Sequence, residues 1–435
     1  MLARLQAHGL RACLIALPLL AAPAAASVYT VDMTGFAADF SHPQAAVDAA
    51  ADGDTLLFLG NDEGIPFPSF TIDGKRLTLI GEPEVVAEVA YPPLIIGDVT
   101  ILDLLPSQTV LLQDLHIRAL IQLFLLPEPL IVQDCAGHVV LDRVRLDRTN
   151  AHTPVMLTVN NSNAVTLVDC DILGSASMNT NPAGDAVHAT SSNLYIYESE
   201  LRGGLGGNGA LDGFGIVPPS PGGNAIVLSG GSAVISGSLV AGGNGGTGVV
   251  DVFGACHDSR DGGNGLTLGG DGVGQASATL IGTTPTGGTG GGSFDPFCGV
   301  GSDGVGTDVG AGALTQLTNP SRSGSVNSPV REGETAQLAF AGEPGDIVLL
   351  LYGSGATPVS FPAWSGVIYP DPLLSFLVAG VTDASGDLAF GVSVGEIGAQ
   401  AAQLTLQGLF LPASLAENEV VLGNPMPLVL LDSSL

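Results

Sequence analysis

Val165-Thr166-Leu167-Val168-Asp169-Cys170-Asp171-Ile172 is the stretch on which the fold turns. Apolar side chains alternate at Val165 and Leu167, slip by one position, and resume at Cys170 and Ile172. A helix needs spacings of three and four, whereas this spacing suits two short strands that meet at a bend and point into one core. The same pattern occurs at 110–117, 139–146 and 194–201, with starts offset by 29, 26 and 29 residues. No single unit can bury its own apolar face, so the units must stack, with parallel strands roughly 4.8 Å apart. The expected fold class is all-β: a parallel β-helix of stacked coils over residues 27–312, followed by a small β-sandwich-like domain.

A second register of the repeat follows. Gly184-Asp185-Ala186-Val187, Gly223-Asn224-Ala225-Ile226 and Gly263-Asn264-Gly265-Leu266 recur at offsets of 39 and 40. The added length lies in glycine-rich excursions such as 203–209 and 242–246, which read as loops projecting from one side of the coil. Gly269-Gly270-Asp271-Gly272-Val273-Gly274 lacks the tandem period of nine that calcium-binding glycine repeats require.

Gln44-Ala45-Ala46-Val47-Asp48-Ala49-Ala50-Ala51-Asp52-Gly53-Asp54-Thr55-Leu56, with Ile72-Asp73-Gly74-Lys75-Arg76-Leu77-Thr78-Leu79-Ile80-Gly81 after it, resembles the opening of bacterial right-handed β-helix proteins of the pectin-lyase-like superfamily. The coil motif at 165–172 is also similar to that superfamily's repeat. The resemblance covers about residues 40–300 and implies a short helix capping the first coil. It implies fold more than chemistry, because the superfamily hosts many activities. The usual V-x-P-G-x-Y after the cap is replaced by Phe58-Leu59-Gly60-Asn61-Asp62-Glu63-Gly64, so the first coil departs locally.

The repeat fades near Ala311. Residues 313–328 read as a linker, and 329–435 carry short β-like runs separated by turns such as Glu343-Pro344-Gly345-Asp346. That spacing suggests a β-sandwich-like module. It resembles a C-terminal module of secreted proteins of planctomycete-like bacteria, a likeness that implies no activity.

Arg4 and Arg11, the apolar run 12–22 and Pro23-Ala24-Ala25-Ala26 have the layout of a signal peptide over residues 1–26, with cleavage after Ala26. No transmembrane anchor is expected, and the destination is extracellular or the cell surface. The mature chain keeps 10 Lys and Arg against 42 Asp and Glu, a formal charge of −32. Such a chain does not bind nucleic acid or an anionic membrane unaided, and divalent cations are its natural counter-charge. Charged residues at 12% and hydrophobic residues at 45% argue against disorder despite 62 glycines. Among the exported cysteines, Cys256 and Cys298 flank excursions with little core of their own and are expected to form a disulfide. Cys170 belongs inside the stack.

Aligning the repeats puts Asp114, Arg143, Asp169 and Glu198 in one column at the bend and His116, Arg145, Asp171 and Glu200 in a second on the following strand. Asp169 and Asp171 then lie against Glu198 and Glu200, and like charges at one strand spacing repel. Either Arg143 and Arg145 screen the aspartates while the glutamates reach solvent, or a hard cation, Ca²⁺, binds the four carboxylates. Tyr195 and Tyr197 are the best candidates for stacking against a sugar. The leading expectation is a secreted structural or interaction protein whose partners are polysaccharide or cell-envelope components. The alternative is a Ca²⁺-dependent polysaccharide lyase or glycosidase. For a lyase the resemblance implies an arginine base, Arg143 or Arg145, although no N-T-D, G-H-G or R-I-K sequence of the polygalacturonase type occurs. Zinc, serine-elbow and phosphate-loop spacings are also missing.

Overall fold

At each slip in the apolar alternation the backbone is left-handed, with φ of 55° at Asp114, 53° at Arg143, 51° at Asp169 and 48° at Glu198, and the column continues as Gly237 and Gly282 at 60° and 57°. One residue of this kind turns the chain sharply without a loop, so the residue after it faces inward again. That is the physical content of the slip: Leu115, Val144, Cys170 and Ser199 are all buried. Gly237 is required twice over, by its φ and because a Cβ there would run into the Glu198 carboxylate. Asp103, Asp134, Asn161 and Ser191 form a second left-handed corner, with φ between 46° and 54°.

The computed structural model describes residues 26–34, 38–60, 65–86, 89–119, 128–148, 155–177, 182–212, 215–251, 254–270, 274–293, 298–361, 364–412 and 420–435. The signal-peptide reading of residues 1–25 and the segment 271–273 lie outside them. Strands from every coil pair in parallel with the coils above and below in one 21-stranded sheet, which makes the body a parallel β-helix. The inward column runs Val110, Val139, Val165, Leu194, Ala233 and Ala278, all buried. The helix Pro43–Ala49 covers the first coil through Ala46 and Val47. Its C-terminal carbonyls are closed by Lys75, whose Nζ lies 2.8, 2.9 and 3.0 Å from the oxygens of Val47, Asp48 and Ala50.

The glycine-rich excursions are not independent loops. The outgoing segments lie side by side with a three-residue period: Gly203, Gly206 and Gly209 donate to the carbonyls of Ala241, Asn244 and Thr247, and Gly242, Gly245 and Gly248 to those of Thr286, Thr289 and Gly292. A second layer of returning segments is bonded to them through the run Gly204 to Gly184, Gly223 to Gly204, Gly243 to Gly223, Gly263 to Gly243, Gly288 to Gly263 and Gly304 to Gly288, each at 2.8 or 2.9 Å. A period of three with lateral bonds is the geometry of extended polyproline-II-type chains. Here glycine supplies space rather than a special φ, since a Cβ at Gly223, Gly243 or Gly263 would collide with a neighbouring carbonyl. Cys256 and Cys298 are disulfide-bonded, with Cα atoms 5.4 Å apart, and Cys135 and Cys170 are free and buried.

The linker reading of 313–328 needs correction at both ends. Ala313–Leu317 pairs in parallel with Ser277–Ile281 as one more coil strand, and Ser323–Val326 pairs antiparallel with Thr335–Ala341. That strand is largely exposed, and Gln316 stands at the inward position that Leu280 holds on the preceding coil, which weakens the apolar signature. Beyond it, Ser323–Val326, Thr335–Ala341 and Asp387–Ser393 form one antiparallel sheet. It faces a larger sheet that includes Ile347–Gly353, Leu373–Val381, Ala401–Leu411 and Val420–Leu431, across a core containing Leu338, Phe340, Val348 and Phe410. This module lies along the coil. Leu57, Ile80, Leu111 and Val140 pack against Ala401, Val429 and Leu431, and further on Val168 and Tyr197 pack against Val367 and Tyr369.

Candidate functional site: the cleft between coil and module

Where the bend column meets the module, a cleft of ≈ 430 Å³ is left open. Asp142, Arg143, Asp169 and Glu198 line its coil side, while Phe340 and Met426 are among the residues opposite. The coil side follows directly from register. Asp142 pairs with Gln113 and Val168 on the neighbouring coils, so it points outward beneath the module, and the bend residue follows it.

Arg143 is bound on three sides. Its Nε and Nη2 reach Asp114 Oδ1 and Oδ2 at 2.8 Å each, its Nη1 reaches Asp142 Oδ2 at 2.8 Å, and Nη2 also donates to the Ser328 carbonyl at 3.1 Å. Burial works against its charge, but the Asp114 bond and the nearby Asp142 and Asp114 carboxylates outweigh it and raise the pKa further. Two carboxylates thus hold Arg143 as a cation, an arrangement that works against the expected role of neutral base. Asp142, 2% exposed, also accepts a bond from Gln113 Nε2 at 2.6 Å. Burial pushes its pKa up to about 6, against the pull of Arg143 and Gln113. Glu198 has no ion-pair partner among the described residues, and burial followed by the neighbouring Asp169 pushes it up to about 7. Burial also raises Asp169 itself.

The four carboxylates expected to share a cation are not gathered. Asp169 and Glu198 face the cleft, whereas Asp171 and Glu200 lie on the next strand, where Asp171 is 3.6 Å from Arg145 and Glu200 pairs with Arg202. No group of three His, Cys, Asp or Glu side chains among the described residues is placed to hold a metal ion, and the donor set does not fit the six to eight oxygens of Ca²⁺. Arg145 does not line the cleft. It lies 3.2 Å from Asp147, which also meets His116 at 3.0 Å and Arg118 at 2.7 Å. Burial would raise the Asp147 pKa, but the bonds from His116 and Arg118 prevail and hold it well below the usual carboxylate range.

Tyr195 and Tyr197 do not form an open stacking platform. Tyr197 is 2% exposed with its Oη 3.3 Å from that of Tyr369, and both rings meet Tyr369 edge-on with centroids 6.0 Å apart. Both lie on outward positions of coil strands, and the module covers that face. Sequence reasoning missed Asp142, Asp147 and Arg202. Asp142 left one signal, as the single carboxylate in a column otherwise made of Gln113, Val168 and Tyr197.

No family model matches the sequence. No curated protein matches it either. Among solved structures, the enzymatically active domain of tailspike protein 2 of bacteriophage CBA120 is 10% identical, with a TM-score of 0.25, covering 83% of this chain and 64% of that one. Full-length tailspike protein 2 from an Escherichia coli O157:H7 bacteriophage is also 10% identical, with a TM-score of 0.27, covering 91% of this chain and 63% of that one. This chain thus spans just under two thirds of the length of each, and likeness at that level assigns it neither a site nor a substrate. No helix among the described residues is long and apolar enough to cross a membrane.

Proposed function

We propose that this chain is an exported surface protein that binds an uncharged polysaccharide in the cleft between coil and module. The observation that carries the reading is the cleft's mixed lining, with Asp169 and Glu198 on the coil side and Phe340 and Met426 beside Asp387 and Asn424 on the module side. Carboxylates accept hydrogen bonds from sugar hydroxyls, and apolar surface packs on the C–H face of a ring. Among the described residues that line the cleft, the one cation, Arg143, is already paired with Asp114 and Asp142, which disfavours a uronate. The signal-peptide layout of residues 1–26 supports the export half of the reading.

Calorimetric titration with neutral and uronate oligosaccharides tests this. A neutral oligosaccharide should bind, and Glu198→Gln or Asp169→Asn should weaken it about tenfold, the loss of roughly 1.4 kcal/mol. Tighter binding of a uronate, or unchanged affinity in both variants, would overturn the assignment. A second reading, a glycosidase, is favoured by one feature alone: the raised pKa of Glu198, one coil from Asp169, suits a general acid. Release of reducing ends that disappears in Glu198→Gln would establish it.

A further inference from the structure

We infer that Asp54 is the built partner of a new N-terminal ammonium on Ser27, created when residues 1–26 are removed. The inference rests on the export reading above. Asp54 is 5% exposed. Its Oδ1 accepts the Ser27 N–H at 2.8 Å and its Oδ2 accepts the Ala51 N–H at 2.8 Å. No cation lies within ion-pair distance of it among the described residues, so a buried carboxylate is held by amide hydrogens alone. Arg76 stacks over Gly53, and the exposed Asp52 accepts the Arg76 N–H at 2.9 Å and Gln108 Nε2 at 3.0 Å. Lys75 is occupied by the helix carbonyls.

Hydrolysis of the Ala26–Ser27 peptide bond adds one water, leaving a carboxylate on Ala26 and an ammonium on Ser27. The nitrogen that gains the charge is the one already bonded to Asp54. Its position is fixed on both sides: the Ser27 carbonyl accepts Thr55 N–H at 2.9 Å, Val28 pairs with Thr55, and the Val28 N–H donates to Gln400 Oε1 of the module at 2.9 Å. Cleavage removes the bridge between Ala26 and Ala401 and leaves these contacts in place. A charge-assisted bond to a buried carboxylate is about twice as strong as a neutral one, so processing pins the first strand to the turn that carries Asp54. Cleavage two or three residues earlier puts an amide at Ser27 and the charge elsewhere.

The chemistry is easy to read because Lys75 is the single lysine. Proteins starting at Ser27 and at Ala24, each with Asp54 and with Asp54→Asn, are acylated with an amine-selective ester at pH 7, and terminal labelling is followed by peptide mass. Only the neutral amine reacts, and an α-amine ordinarily titrates near 7.7–8.0. The Ser27 terminus should react about tenfold more slowly than the Ala24 terminus, and Asp54→Asn should abolish the difference. Equal rates at the two wild-type termini would overturn the pairing. Should Asp54→Asn fail to fold, the thermal midpoints of the Ser27 protein with a free and with an acetylated terminus decide: a midpoint no higher for the free terminus overturns the inference. Terminal sequencing of the exported protein is a separate arm, and a start other than Ser27 removes the processing step without touching the comparison of purified proteins.

Discussion

Arg143 sits in the left-handed corner with three groups bound to it, and removing it shows what each does. Arg143→Ala leaves Asp142, 2% exposed, and Asp114 without their cation. Breaking one side of a buried pair costs about 3–5 kcal/mol, and denaturant melts should show a loss of that order. Glu198 predicts the opposite sign. Its folded pKa of about 7 lies above the usual glutamate value, so its favourable contribution is complete below that usual value and is lost as pH rises through about 7. Glu198→Gln should therefore stabilise the protein at pH 8, by about 1 kcal/mol once solvent access to the carboxylate is discounted, and change little at pH 4. Equal effects at both pH values would show that burial of this carboxylate is not felt.

At the scale of elements, the coil could be read because an apolar column is a local signal repeated every 26–29 residues, and Val139, Val165 and Leu194 declare it with their own side chains. The glycine layers could not. Their bonds join segments about 16 to 44 residues apart and use backbone atoms, so nothing in a single excursion separates a stacked strand from a loose loop. The distinction is experimental. Gly243→Ala puts a Cβ into the Gly204 carbonyl, whereas Gly292→Ala meets nothing within 4 Å. The first should cost about 1–3 kcal/mol, as overpacking does, and speed amide exchange across 203–209 and 242–248. The second should leave both unchanged. The disulfide behaves as a staple on the same layers, and peptide mapping of the non-reduced protein should recover Cys256 joined to Cys298.

Across the whole molecule, the C-terminal module closes the outward face of the coil and so decides what can act as a site. That docking was hidden because Val140, Thr166 and Tyr195 look like ordinary outward strand residues until something covers them. His138 stands in the middle of the seam, buried, with Nδ1 2.9 Å from the Ala356 carbonyl and Nε2 2.8 Å from Thr166 Oγ1. Burial pushes its pKa down to about 4, against the Ala356 bond. The neutral ring's contribution is complete above the ordinary histidine value and is lost as pH falls to about 4, while Asp142 and Glu198 act in the reverse sense. Acid should thus loosen the seam first, with amide protection at 367–370 and 401–411 falling before that at 139–141.

The most direct measurement is a crystal structure of the mature protein grown with the neutral oligosaccharide that binds it most tightly. Sugar density between Glu198 and Phe340, with hydroxyls on the Asp169 and Glu198 carboxylates, is the expected result; sugar seated on the glycine layers, or an empty cleft at saturating ligand, would contradict it.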